Sequence, residues 1–201
     1  DNLAAKAKYG YAGLCRQDYI GADYGMVDCS TGTPLADFYT ALVWAHTMGP
    51  KVLDVSASIG TSAGGLPLPA LNSSVRVYAH CTPPATKSPT LSTLPSKSTP
   101  QGSITVLVIN LGNKSSTLHF DQGGDSIEAY VLEGMDDPSL SLSNGTGLMG
   151  TAVSLNGKQL KVQPEGQVPE LVPNTTTGSS VSVPGYSVSY LVLPNAAHAA
   201  C

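Results

Sequence analysis

Charge is scarce in this sequence, and basic charge scarcest. Ten Lys and Arg stand against 14 Asp and Glu, for a net charge of −4. No basic cluster is available to neutralise phosphates, which argues against nucleic acid as a partner. Long apolar runs are missing as well: none approaches the roughly 20 residues that a membrane span requires. The chain opens on Asp1-Asn2-Leu3 rather than on a signal peptide, so it reads as a mature or internally cleaved product, or as a segment of something longer. Signature motifs of chemistry are absent too. There is no Gly-x-Ser-x-Gly, no phosphate-binding loop and no dinucleotide fingerprint. His46, His80, His119 and His198 are scattered without metal-ligand spacing, so neither a metal nor a cofactor is expected. Glutamate is limited to Glu128, Glu133, Glu165 and Glu170. None has sequence neighbours that would raise its pKa, so all four read as solvated surface carboxylates rather than as the pair a sugar-cleaving enzyme needs. By themselves the residues hold no self-contained active site.

What is plentiful points to β structure. With 21 Gly, 15 Pro and only 12% charged residues, and with Ser and Thr abundant, the composition suits many short strands joined by turns. Four N-glycosylation sequons occur, at Asn72, Asn113, Asn144 and Asn174, each in a polar, turn-like stretch where a glycan would project. They favour a secreted chain, in the extracellular space or cell wall or in a lysosomal or vacuolar lumen. Four Cys without Cys-x-x-Cys spacing fit disulfides better than zinc in that setting.

Along the chain, residues 3–14 read as the tail of a helix ending near Gly10, followed by a short buried strand into Cys15 and Arg16. Thr33 and Pro34 offer the start of a second helix, with Asp37 in its first turn. Phe38, Ala41, Leu42, Ala45 and Met48 recur at helical spacing as one apolar stripe, and Gly49-Pro50 stops it. From Lys51 the period changes from 3.6 to 2. Strands are expected at 52–55, 74–80, 104–111, 118–120, 127–132, 152–155, 160–162, 181–183 and 186–193. The almost wholly apolar run 104–111 belongs at the centre, and Asn156-Gly157 marks a type I′ hairpin turn. Such strands without intervening helices describe a two-sheet β-sandwich. Residues 82–101, rich in Pro, Ser and Thr, fit no strand and read as a disordered loop, open to O-glycosylation.

Two features stand out within this frame. The stretch 15–28 gathers ionisable and aromatic groups in a chain poor in both, with Tyr24 carried on the tight turn formed by Gly21, Ala22, Asp23 and Gly25. It reads either as a surface turn or as a loop that faces a ligand. Among the cysteines, Cys81 follows a strand and Cys201 closes the chain. Paired, they would enclose a loop of order 100 residues, worth about 4–5 kcal/mol in the chain-entropy estimate. Cys15 and Cys29 flank the opening loop and are either bridged, free or bound to a partner.

Three separated stretches together resemble the heparanase-like endo-β-glucuronidases of glycoside hydrolase family 79, especially the plant type. The first is Arg16-Gln17-Asp18-Tyr19-Ile20-Gly21-Ala22-Asp23-Tyr24-Gly25, followed by Asp37-Phe38-Tyr39 and Met48-Gly49-Pro50-Lys51-Val52-Leu53. The second is Arg76-Val77-Tyr78-Ala79-His80-Cys81 with Val106-Leu107-Val108-Ile109-Asn110-Leu111. The third is Val153-Ser154-Leu155-Asn156-Gly157 with Tyr186-Ser187-Val188-Ser189-Tyr190 and the closing Ala199-Ala200-Cys201. The resemblance implies a (β/α)8 barrel followed by a C-terminal β-sandwich. Residues 1–50 would be the terminal strand, loop and helix of the barrel, and 51–201 the sandwich domain. A retaining mechanism in that family uses two Glu on earlier barrel strands, and neither is in this chain. What carries over is the wall that binds the glucuronate carboxylate: Gln17, the backbone N–H of Ala22 and the Tyr24 hydroxyl. Ala22 and Asp23 stand where the family usually has Gly and Asn. The similarity also supports the Cys81–Cys201 bridge. The partners it implies are the rest of the barrel, in the same or a second chain, and a glucuronate-containing glycan. The alternative is a non-catalytic, glycosylated matrix or cell-wall module, structural or carbohydrate-binding, derived from the family.

Overall fold

The computed structural model describes residues 1–21, 24–56, 58–59, 66–67, 74–84, 99–121, 123, 125–136, 147, 150, 152–162 and 166–201. Ala22, Asn72, Asn144 and most of the 82–101 loop lie outside these described residues. Among the described residues, two helices, α1 (Asn2–Lys8) and α2 (Ala36–Thr47), precede twelve strands: β1 (Val52–Leu53), β2 (Ser58–Ile59), β3 (Leu66–Pro67), β4 (Val75–Cys81), β5 (Ile104–Asn110), β6 (Ser116–His119), β7 (Ser126–Met135), β8 (Ala152–Leu155), β9 (Lys158–Gln159), β10 (Asn174–Thr177), β11 (Ser180–Val183) and β12 (Ser187–Leu193). The protein is mostly β, and every strand pairing is antiparallel.

The main sheet runs β1-β4-β5-β12-β7-β8-β9, with β10 also paired to β7. β5 sits between β4 and β12, the interior place its almost wholly apolar run demands. Because side chains alternate between faces, such a run fills two cores at once. Leu107 and Ile109 of β5, Tyr130 and Leu132 of β7, Val153 and Leu155 of β8, and Tyr190 and Val192 of β12 join one cluster with Tyr39, Leu42 and Val43 of α2. Their neighbours Val106, Val108, Ile127, Ala129, Leu191 and Leu193 join another with Val181 and Val183 of β11. One face of the main sheet is thus covered by α2, and the other by the two-stranded β6–β11 ladder.

Polar bonds fix α2 in register on the sheet. Buried Tyr190 donates its hydroxyl to the Thr40 carbonyl at 3.1 Å, and Thr105 donates to the Thr47 carbonyl at 2.6 Å. The turn out of α2 lies directly against β4. Gly49 N–H donates to Cys81 O at 2.9 Å, and a Cβ on Gly49 would sit 2.5 Å from that oxygen, so only glycine permits the approach. Cys81 N–H then bonds to Lys51 O at 2.9 Å, which starts β1.

Several expectations shift. The face of α2 that packs inward is Tyr39, Leu42, Val43 and Thr47, whereas Ala45 of the expected stripe is exposed. Apolar residues surround this helix on nearly all sides, so spacing alone does not select a face. The large Tyr39 and Leu42 and the branched Val43 take it. The strand expected before Cys15 does not form: residues 11–16 are coil, and Tyr11 is 63% exposed. No strand among the described residues lies beside it to satisfy its backbone. In place of a strand at 160–162, the chain turns at Asn156 (φ 51°) and Gly157 (φ 80°), the type I′ geometry expected of that pair. It pairs through Leu155↔Lys158, and Leu160 is then buried. The ends of the Pro/Ser/Thr segment are tied together, with Thr82 N–H on Ser103 O at 3.0 Å and the Thr99 hydroxyl on Pro83 O at 3.0 Å.

Candidate substrate-facing loop

The residues between α1 and α2 fold as a loop organised around Val27. Tyr19 O accepts from both Met26 N–H at 2.9 Å and Val27 N–H at 3.0 Å. Val27 bridges to Ile20 on one side and to Pro34 on the other, and Leu35 N–H reaches Met26 O at 2.9 Å. Asp28 builds the next turn. Its Oδ1 accepts from Ser30 N–H (2.9 Å), Ser30 hydroxyl (2.6 Å), Thr31 N–H (2.8 Å) and Thr31 hydroxyl (2.9 Å). Donors converging on a carboxylate favour its charged form, and the Ser30 hydroxyl foremost, with Thr31, holds Asp28 down to about 2.

Arg16 ties this loop to α2. Its guanidinium donates to the Tyr24 carbonyl and forms an ion pair with Asp37 in the first turn of the helix at 2.7 Å. Both side chains are well exposed, so the pair adds at most about 1 kcal/mol; its contribution is direction rather than stability. Gln17 and Tyr24 lie on this loop, both exposed, with Tyr24 at 56%. Tyr24 is one of a run: Tyr9, Tyr11, Tyr19 and Ile20 are all at least half exposed. Five large apolar or aromatic side chains are thus left bare within 16 positions of sequence.

The cysteines divide cleanly. Cys81 and Cys201 form a disulfide across a separation of 120 residues. Cys15 and Cys29 are both exposed and free, so the loop they flank is held by Val27, Asp28 and Arg16 instead of by a bridge. Of the sequons, Asn113 is exposed in the turn after β5, and Asn174 is exposed as the first residue of β10, a strand rather than the expected turn.

Glu128 is not the surface carboxylate its neighbours in sequence suggest: it is buried on β7. The signal was its phase, two residues from Tyr130 on the face that α2 covers. His46 of α2 meets Tyr130 edge-on at 5.8 Å. Burial lowers the His46 pKa while Glu128 pulls it up, and burial with the Glu128 charge pushes the Tyr130 hydroxyl up. The remaining histidines hold structure. His80 Nδ1 donates to the Gly49 carbonyl at 2.7 Å, and His119 Nδ1 pairs with the Ser180 hydroxyl at 2.7 Å. Among the described residues no group of three or more His, Cys, Asp or Glu is placed to hold a metal ion, and no helix is long and apolar enough to cross a membrane.

No family model matches the chain. It is similar to curated proteins over nearly all of its length. Heparanase-like protein 1 of Arabidopsis thaliana is 28% identical over 100% of this chain and 37% of its own length. Baicalin-beta-D-glucuronidase of Scutellaria baicalensis is 31% identical over 90% of this chain and 28% of its own. Heparanase of Mus musculus is 30% identical over 100% of this chain and 33% of its own. The chain therefore spans about a third of the length of the curated relatives it matches.

Proposed function

We propose that this chain, a homologue of the heparanases and of a plant β-glucuronidase, is the C-terminal portion of a secreted heparanase-like glycoside hydrolase acting on glucuronate-containing glycans. The observation that carries the reading is the similarity to heparanase and glucuronidase along the chain. In this reading both catalytic Glu lie outside the chain, on barrel strands of the same polypeptide or of a second chain. Residues 1–50 are the end of that (β/α)8 barrel, and 51–201 are the β-sandwich. The loop anchored by Arg16 then forms one wall of the pocket. Tyr24 donates its hydroxyl to the glucuronate carboxylate, joined by Gln17 and the backbone N–H of Ala22. Hydrogen bonds to a charged acceptor are the stronger kind, and here they orient the sugar rather than attack it. Asp23 places a negative charge near an anionic substrate and narrows which glycans fit. The bare tyrosines of the loop support a surface completed by the remaining barrel, and the disulfide and sequons support passage through the secretory pathway.

The test is hydrolysis of an aryl β-glucuronide by the protein made from its full coding sequence. Tyr24→Phe removes one hydroxyl donor to a carboxylate, worth about 1.5–3 kcal/mol, so kcat/KM falls about 10- to 100-fold with the fold unchanged. Purification of a folded, monomeric species of about this length, with no partner chain and no hydrolysis, overturns the reading.

A further inference from the structure

We infer that Asn174 carries an N-linked glycan that closes an otherwise open edge of the main sheet. β10 begins at Asn174 and pairs with β7 through Asn174↔Ala129, Thr175↔Glu128, Thr176↔Ile127 and Thr177↔Ser126. Among the described residues no strand pairs with its other side. In an antiparallel ladder successive residues aim their N–H and C=O groups to opposite sides, so half of those in β10 face away from β7. An edge of this kind is a template for another chain, and proteins blunt it with charge, proline or a bulge. β10 has no charge and no proline within it. Its sequence is Asn-Thr-Thr-Thr with all four residues exposed, three of them β-branched and suited to extended structure. Val172, two residues upstream, is 56% exposed.

What β10 does have is an acceptor sequon, Asn174-Thr175-Thr176, at its first and exposed residue. A glycan there is bulky and strongly hydrated. It stands at the end of the edge where a second strand would have to align, beside the exposed Val172. The other sequon among the described residues, Asn113, lies in a turn braced by the Asn110 side chain donating to Lys114 O at 2.9 Å. It is off any strand, so it serves as the reference site. The inference rests on the secretory part of the proposed function, and Asn113 separates the two.

The experiment expresses the full protein in a secretory host that N-glycosylates, and maps occupied sites by the Asn-to-Asp conversion that a peptide N-glycosidase leaves behind when it hydrolyses the glycan–Asn amide bond. Asn174 is expected to be occupied. N174Q and T176A should each raise the oligomeric fraction severalfold in size-exclusion chromatography with light scattering. T176S, which keeps the sequon, and N113Q should not. Should a variant fail to fold, glycans are instead removed enzymatically from the folded N72Q/N113Q/N144Q protein, where Asn174 is the one sequon left within these 201 residues, and the same rise in oligomer is expected. Asn113 occupied with Asn174 empty overturns this inference and leaves secretion standing. No sequon occupied overturns both. An N174Q protein, or enzymatically stripped protein, as monodisperse as its parent overturns the edge-closing role.

Discussion

Ser189 stands in the middle of β12, opposite Val108 of β5 and Val131 of β7. It is wholly buried, and among the described residues its hydroxyl oxygen has no hydrogen-bond partner. A buried polar group that gives up its bonds to water without replacing them costs about 1–3 kcal/mol. Ser189→Ala removes that cost while keeping the Cβ and the backbone ladder. Against it stands the space the oxygen leaves: a void of order 20 Å³ at about 24 cal/mol per Å³ loses roughly 0.5 kcal/mol. The net is a protein more stable by about 0.5–2.5 kcal/mol. With a urea slope of about 2 kcal/mol per M, the midpoint rises by roughly 0.3–1.3 M at unchanged slope. Thr105 supplies the contrast. It is equally buried, but its hydroxyl donates to the Thr47 carbonyl at 2.6 Å, so Thr105→Val should lower the midpoint. A midpoint that falls for Ser189→Ala, or that rises for both variants, refutes the reasoning.

Replacing Cys81 and Cys201 together with Ala frees a closure of 120 residues and should cost about 4–5 kcal/mol in denaturant unfolding, with the reduced parent matching the variant; a loss below about 2 kcal/mol refutes it. Burial lowers the His46 pKa below its ordinary 6.5, so as pH falls through that value the unfolded chain takes up a proton that the folded chain resists. Stability then declines with falling pH, and His46→Gln should flatten the decline, as read from urea midpoints across the pH range. Asp28 acts lower. Its carboxyl is held at about 2 rather than 3.8, so its stabilisation is present above that ordinary value and is lost as pH falls toward about 2, and Asp28→Asn should remove that step.

How much of this was legible in the sequence depends on which force places each residue. Where burial decides, the pattern was readable. The run 104–111 is apolar in both phases because β5 feeds two cores, and Asn156-Gly157 takes the left-handed angles that only such a pair adopts cheaply. β10 was not legible, because Asn-Thr-Thr-Thr has no apolar phase to detect and is extended only through its ladder to β7. The inward face of α2 was read one residue off, since Phe38, Tyr39, Ala41, Leu42, Val43, Trp44 and Ala45 encircle the helix. The burial of Glu128 follows from its phase with Tyr130 on β7, a signal its immediate sequence neighbours do not carry.

The loop before α2 fails in the opposite direction. Its residues read as a buried strand and a tyrosine-bearing turn, yet Tyr9, Tyr11, Tyr19, Ile20 and Tyr24 are all left bare. A strand forms only where a neighbour accepts its backbone bonds, and aromatic residues become core only where something covers them. Local sequence encodes the tendency, but the neighbour has to be supplied. Elsewhere in this chain the neighbour is supplied from within: β12 receives β5 and β7, and α2 receives the sheet. At this loop, among the described residues, it is not. Sequence and structure therefore disagree most at the stretch that the proposed function sets against a barrel, and there apolar groups are exposed rather than polar groups buried. The Arg16 contacts to Tyr24 and Asp37 follow the same logic. They aim the loop without burying it, which is what a pocket wall needs when its opposite wall comes from another part of the protein.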